Sequence, residues 1–102
     1  MTRIRIIIKG EGGYKIVDAF QNHDGSFENM DAICKEAFKN ETAGAVVSSI
    51  VGSFDFSPAA NITYRYEIDI INKILKQYAV KVNWDTGIGI VRRGKLLEEK
   101  RY

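Results

Sequence analysis

The sequence is poor in the residues that mark most chemistries. It holds one cysteine, one proline, one histidine and one tryptophan among 102 residues. A lone Cys34 excludes an internal disulfide and a multi-cysteine zinc site, and makes an intracellular, cytoplasmic setting the expectation. A lone His23 excludes a two-histidine metal site. The longest aliphatic run, Ile6-Ile7-Ile8, falls far short of the ~20 apolar residues that span a bilayer, so no membrane partner is expected. Arg3 and Arg5 imitate the charged start of a signal peptide, but no apolar stretch of the required length follows, and export is not expected. Leucine is scarce as well, limited to Leu75, Leu96 and Leu97.

What is present points to a sheet. Isoleucine occurs 14 times and valine 7 times, and side chains branched at Cβ suit pleated strands better than helices. The chain is 45% hydrophobic and 27% charged, near the globular average, and its length suits one domain spanning residues 1–102.

The pattern along the chain predicts a β-hairpin first. Ile4, Ile6 and Ile8 alternate with Arg3, Arg5 and Lys9, and only Ile7 breaks the polar side. Gly10-Glu11-Gly12-Gly13 supplies a turn, and Tyr14 to Phe20 returns as a second strand. Asp24 or Ser26 is placed to cap a helix over 26–40, whose stripe is Phe27, Met30, Ile33, Cys34, Ala37 and Phe38. Residues 44–56 read as a strand, because Val46, Ile50, Phe54 and Phe56 share one parity. Residues 61–70 alternate without exception, Ile62, Tyr64, Tyr66, Ile68 and Ile70 against Asn61, Thr63, Arg65, Glu67 and Asp69. Ile71, Ile74, Leu75 and Tyr78 then switch to helical spacing, which predicts a short helix over 70–78. Val80, Val82 and Trp84 resume a strand, Asp85-Thr86-Gly87 turns, and residues 88–93 return. Residues 94–102 read as a loosely ordered basic tail. The expected fold is α+β: two layers, a mainly antiparallel sheet in β-β-α-β-β-α-β-β order, and one principal amphipathic helix at about 26–40. Trp84, in parity with Val80 and Val82, is expected to be buried.

No catalytic motif emerges. The glycine segment lacks the spacing and the following helix of a phosphate loop, so a hairpin turn is the better account of it. His23 beside Asp24 could form an acid-base pair, although adjacent turn residues usually point apart. Cys34 lies on an apolar stripe, where cysteine acts as a small hydrophobe rather than a nucleophile. Glu67 and Asp69 share one face of their strand ~7 Å apart, a weak signal for a cation or an acid pair. No catalytic residue, metal or cofactor is assigned.

Charge placement is more suggestive. Residues 18–69 carry a net −6 and the remainder +8, giving the overall +2. Arg3, Arg5 and Lys9 lie on one side of the first strand, and Arg92, Arg93 and Lys95 lie near the other end of the chain. If the first and last strands lie close, these six form one anion-attracting patch. The sequence is therefore read as a small, non-catalytic binding or regulatory protein that engages an anionic ligand: nucleic acid, nucleotide or another phosphorylated molecule. The alternative is a self-associating interaction module, or a small inhibitor or accessory protein such as mobile elements encode. A homodimer or higher oligomer is expected under either reading, because an open sheet leaves edges that need covering. A small enzyme using His23 and a carboxylate ranks third.

Overall fold

The computed structural model describes residues 2–21, 26–57, 62–83 and 90–102, with only the backbone described at 82, 83, 90 and 91. His23, Asp24, Trp84 and the turn at 85–87 lie outside the described residues, so the expectations placed on them find no counterpart here.

Strands β1 (Thr2–Gly10) and β2 (Gly13–Gln21) form the expected hairpin, with Gly13 closing the turn at φ 128°. Helices α1 (Phe27–Ala37) and α2 (Ala43–Gly52) follow, then β3 (Asp55–Phe56), β4 (Tyr64–Asp69), β5 (Ile74–Asn83) and β6 (Ile90–Arg101). The six strands form one sheet in the order β3-β2-β1-β4-β5-β6. All neighbours are antiparallel except β1 and β4, which run parallel. The result is a small mixed domain, richer in strand than in helix.

The core lies between the helices and one face of the sheet. Ile4, Ile6, Ile8, Val17, Ala19, Tyr66, Ile68 and Leu75 meet Met30, Cys34, Ala37, Val46 and Ile50 there, all buried. Alternation in the strands and three-and-four spacing in α1 create these two apolar surfaces. Ser26 caps α1, its hydroxyl accepting from the Asn29 amide at 3.4 Å. Gln21 ties that helix start to the sheet by donating to the Ser26 carbonyl at 3.1 Å. At the other end of the chain, the Tyr102 hydroxyl donates to Asp31 on α1 at 2.6 Å, and its ring lies 5.2 Å from that of Phe38.

The order of elements departs from the sequence expectation in two places. Residues 43–52 form a helix instead of a strand. Val46, Ile50 and Phe54 are spaced by four, an interval that satisfies both the two-residue and the helical period. Val47 and Val51, half-buried beside them, complete a helical stripe that a strand would divide between two faces. Thr42 caps the helix by accepting from the Ala45 amide at 3.2 Å. Residues 70–78 form no helix. The Asp69 carboxylate accepts from the Ile71 and Asn72 amides, each at 2.9 Å, and Lys73 adopts φ 55°, which reverses the chain into β5. Ile71 is left exposed, Leu75 enters the core and Tyr78 is buried in β5. Residues 94–101, read as tail, belong to β6. Register shifts between Gln77 and Val80 let β6 carry extra residues, which hides its alternation from the sequence.

Candidate functional site

The helices cover one face of the sheet, and the opposite face carries a cluster of paired charges. Residues opposite each other on paired strands share a face, so the registers place Arg3, Arg5, Ile7 and Lys9 of β1 beside Phe20, Asp18, Ile16 and Tyr14 of β2. On the other flank, Arg5 stands beside Arg65, Ile7 beside Glu67 and Lys9 beside Asp69. Lys76 of β5 stands opposite Glu67.

Glu67 is the hub. Its side chain is only 5% exposed, yet it is ionically paired to three cations. Lys9 Nζ donates to Oε1 at 2.7 Å, Arg65 Nε donates to Oε2 at 3.1 Å, and Arg93 Nη1 lies 3.4 and 3.2 Å from the two oxygens. Burial alone would raise the carboxyl's pKa. The hydrogen bonds from Lys9 and Arg93, with the charges of Lys9 and Arg65, outweigh it and hold the group below the usual carboxylate range. The Arg93 guanidinium also lies 4.9 Å from the centre of the Tyr78 ring, which supports its reach across β5.

Arg5 is neutralised separately. Its Nε and Nη2 donate to the two Asp18 oxygens at 2.8 and 3.2 Å, a fork that satisfies both groups. Arg3 lies over the Phe20 ring at 5.4 Å. The like-charged neighbours Arg5 and Arg65 thus each carry their own carboxylate partner.

Of the six residues singled out from sequence, the fold gathers Lys9 and Arg93 on one carboxylate and places Arg3 and Arg5 along the same face. The route differs from the one expected. β1 and β6 are not neighbours; β4 and β5 lie between them, and Glu67 bridges the gap. Arg92, one residue from Arg93, stands opposite Lys81 on β5 and takes the other face by strand alternation. Lys95 is exposed and falls in the irregular stretch of β6 without a strand partner in register. Arg65, Lys76 and the hub role of Glu67 were missed. The sequence marks Arg65 and Glu67 as polar-parity residues, while Lys76 falls in the stretch read as a helix, and only the register brings the three together.

The hub keeps a surplus of positive charge. Three cations share one carboxylate, and among the neighbours on this face Lys76 and Arg101 cancel Asp69 and Glu99, which leaves a local +2. Lys9 and Arg93 have side chains 49% and 51% exposed, so this surplus faces solvent. A shallow depression of about 70 Å³ lies there, lined by Lys9, Glu67, Asp69, Ile74 and Lys76. The suggested acid pair has no free members, since Glu67 holds three cations and Asp69 holds the turn amides. Among the described residues no three histidine, cysteine or acidic side chains gather as a metal site.

A second concavity, of about 710 Å³, lies at the end of the sandwich between the β1–β2 turn, the start of α2 and the β4–β5 turn. Its apolar lining includes Ile8, Phe38, Val46 and Ile70, and its charged lining is balanced, with Lys15 and Lys73 against Glu11 and Glu41.

Among the described residues no helix is long and apolar enough to cross a membrane. Comparison of the chain with protein families, with curated proteins and with solved structures returns no match.

Proposed function

We propose that this is a non-catalytic binding protein that takes a phosphate-bearing ligand on the helix-free face of its sheet. The observation that carries the reading is the Glu67 hub, where one buried carboxylate orients Lys9, Arg65 and Arg93 and leaves a solvent-facing surplus of two charges. A carboxylate that orients several cations lowers the ordering cost when they meet a second anion. Arg93 keeps donors beyond the one spent on Glu67, and a guanidinium offers a planar fork that matches phosphate oxygens. Tyr14 lies exposed on the same face by register, which would let a nucleotide base rest against its ring.

The test is binding of a labelled single-stranded oligonucleotide at low salt, followed by anisotropy, for the wild type and for Arg93→Gln. The reading predicts measurable binding that weakens with salt and weakens again in the variant. Equal affinity of the two proteins would reject the hub as the site.

A second reading, self-association, draws on one observation. Strand β6 ends the sheet with 12 residues and leaves Leu96 and Leu97 exposed. Its bulges and its basic residues oppose flush pairing, which ranks this reading second. A mass twice that of the chain by light scattering would favour it.

A further inference from the structure

We propose that the free edge of β2 is a docking site for an extended peptide strand bearing an acidic residue opposite Lys15. Among the described residues the edge is open, because β3 is so short. It pairs only with Ala19 and Phe20, and one further bond runs from the Ser57 amide to the Asp18 carbonyl at 3.0 Å. Among the described residues no strand lies beside Gly13–Val17.

The register fixes which backbone groups face outward. The β1–β2 ladder runs from Thr2 opposite Gln21 to Gly10 opposite Gly13 without a bulge. In such a ladder, alternate residues turn both their N–H and C=O toward the same neighbour. Asp18 turns its carbonyl away from β1 to meet Ser57, so Tyr14 and Ile16 turn their peptide groups outward too. Two donors and two acceptors therefore line the edge. The Tyr14 and Ile16 side chains are 70% and 51% exposed, which gives this short stretch two of the chain's exposed large hydrophobics. The edge also borders the larger concavity, whose lining includes Gly13, Tyr14 and Lys15 on one side and Ala43, Gly44, Val46 and Val47 of α2 on another. A strand laid there would gain main-chain hydrogen bonds from β2 and apolar contact from the groove.

Charge selects the occupant. Lys15 is exposed and makes no ion pair among the described residues. A second copy related by a two-fold axis would place Lys15 against Lys15 when Tyr14 meets Ile16. Sliding the copy to set Ile16 against Ile16 requires the Asp18 carbonyl that Ser57 already uses. Setting Tyr14 against Tyr14 leaves only residues 13–15 to pair before the turn at 11–12 ends the strand. A foreign strand meets none of these conflicts. Running antiparallel to β2, it would set apolar residues against Tyr14 and Ile16 and a carboxylate against Lys15.

The probe is the blocked hexapeptide Thr-Val-Val-Glu-Val-Thr, compared with its version carrying Lys in place of Glu, each added up to millimolar concentration to the full-length protein. Amide NMR should show shifts centred on residues 13–17, and exchange of the Tyr14 and Ile16 amides should slow by about tenfold or more at saturation. The wild type should prefer the Glu peptide by about two- to fivefold, the range a cross-strand ion pair supports, and Lys15→Glu should invert that preference. Ile16→Pro removes an outward amide without touching the β1–β2 ladder, and should abolish binding while the rest of the spectrum stays in place. If that variant fails to fold, the inversion by Lys15→Glu decides alone. Shifts confined to β6 or to the charged face, no preference between the peptides, or the same protection in concentrated protein without peptide would each overturn the proposal.

Discussion

Arg93, on the last strand of the sheet, donates to both carboxylate oxygens of Glu67, two strands away, at 3.4 and 3.2 Å. The two residues are 26 apart in sequence, and β5 passes between them with Tyr78 beneath the guanidinium. Because Glu67 also holds Lys9 and Arg65, it ties together charges from three strands.

Glu67→Gln should therefore leave Lys9, Arg65 and Arg93 repelling one another around a neutral amide. Lys9 and Arg93 are half exposed, and solvent screens part of that repulsion. The expected loss is about 1–3 kcal/mol, the range for removing one partner from a charged hydrogen bond, and urea denaturation would measure it. A variant as stable as the wild type would show the hub to be structurally idle.

Acid should undo the same contacts. Glu67, Asp31 and Asp69 all have carboxyl pKa values held below the ordinary range. Burial opposes the shift at Glu67 and at Asp31, and the cations and the Tyr102 hydroxyl outweigh it; at Asp69 the Asn72 amide leads. A carboxyl depressed in the folded state contributes stability that is complete above its unfolded value, about 3.9 for Asp and 4.3 for Glu, and that is lost as pH falls through the folded value. Melting temperature should hold from pH 7 to about 5 as far as these groups contribute, then fall. In Glu67→Gln the acid-side fall should be shallower.

Tyr102→Phe keeps the ring against Phe38 and deletes the hydroxyl that donates to Asp31 at 2.6 Å. The expected cost is about 1.5–3 kcal/mol for a hydrogen bond to a charged group. Faster amide exchange over the last turns of α1 and the end of β6 would locate the loss. Unchanged exchange there would show that Tyr102 does not fasten the strand to the helix.

Cys34 should resist thiol reagents in the native state. It is fully buried, and burial pushes its thiol up to about 12, with Asp31 adding to the effect. Modification should proceed only as fast as the domain opens, and denaturant should release it. Rapid labelling of the folded protein would contradict the packing of α1.

Gly94→Ala should destabilise the β5–β6 pair, because a Cβ there would sit 2.7 Å from the Ala79 carbonyl oxygen. Relief requires one strand to shift, at about 1–3 kcal/mol. Thermal melting of the variant would show it.

How far these features could be read from sequence depended on whether one interval had one meaning. The Ile4-Ile6-Ile8 alternation and the Ser26 cap with Met30, Cys34 and Ala37 beneath it each fit a single period, and the hairpin and α1 follow from them. The spacing of four in Val46–Ile50 and in Ile74–Tyr78 fits two periods. Tertiary contact decided both cases: α2 closes over the sheet, while the Asp69 turn sends β5 back along β4. In β6 the bulges removed the alternation altogether. At the charged face, the cationic residues of β1 were legible as a set, and so was Arg93. The partner shared by Lys9 and Arg93 was not, since Glu67 meets Lys9 across 58 residues and only the parallel β1–β4 pairing brings them together.

The most direct test of the anion-binding account watches the guanidinium groups themselves. The arginine Nε–Hε NMR signals would be recorded while a single-stranded oligonucleotide is added at low salt and then displaced by raising it. The account predicts that Arg65 and Arg93 shift together and saturate together, that Arg5, held in its Asp18 fork, moves less, and that Arg92 on the other face stays in place. Salt should reverse the shifts with a logarithmic slope of about −0.7 per phosphate contacted. Shifts led by Arg92, or no shift at any arginine at low salt, would contradict the assignment of this sheet face as the binding site.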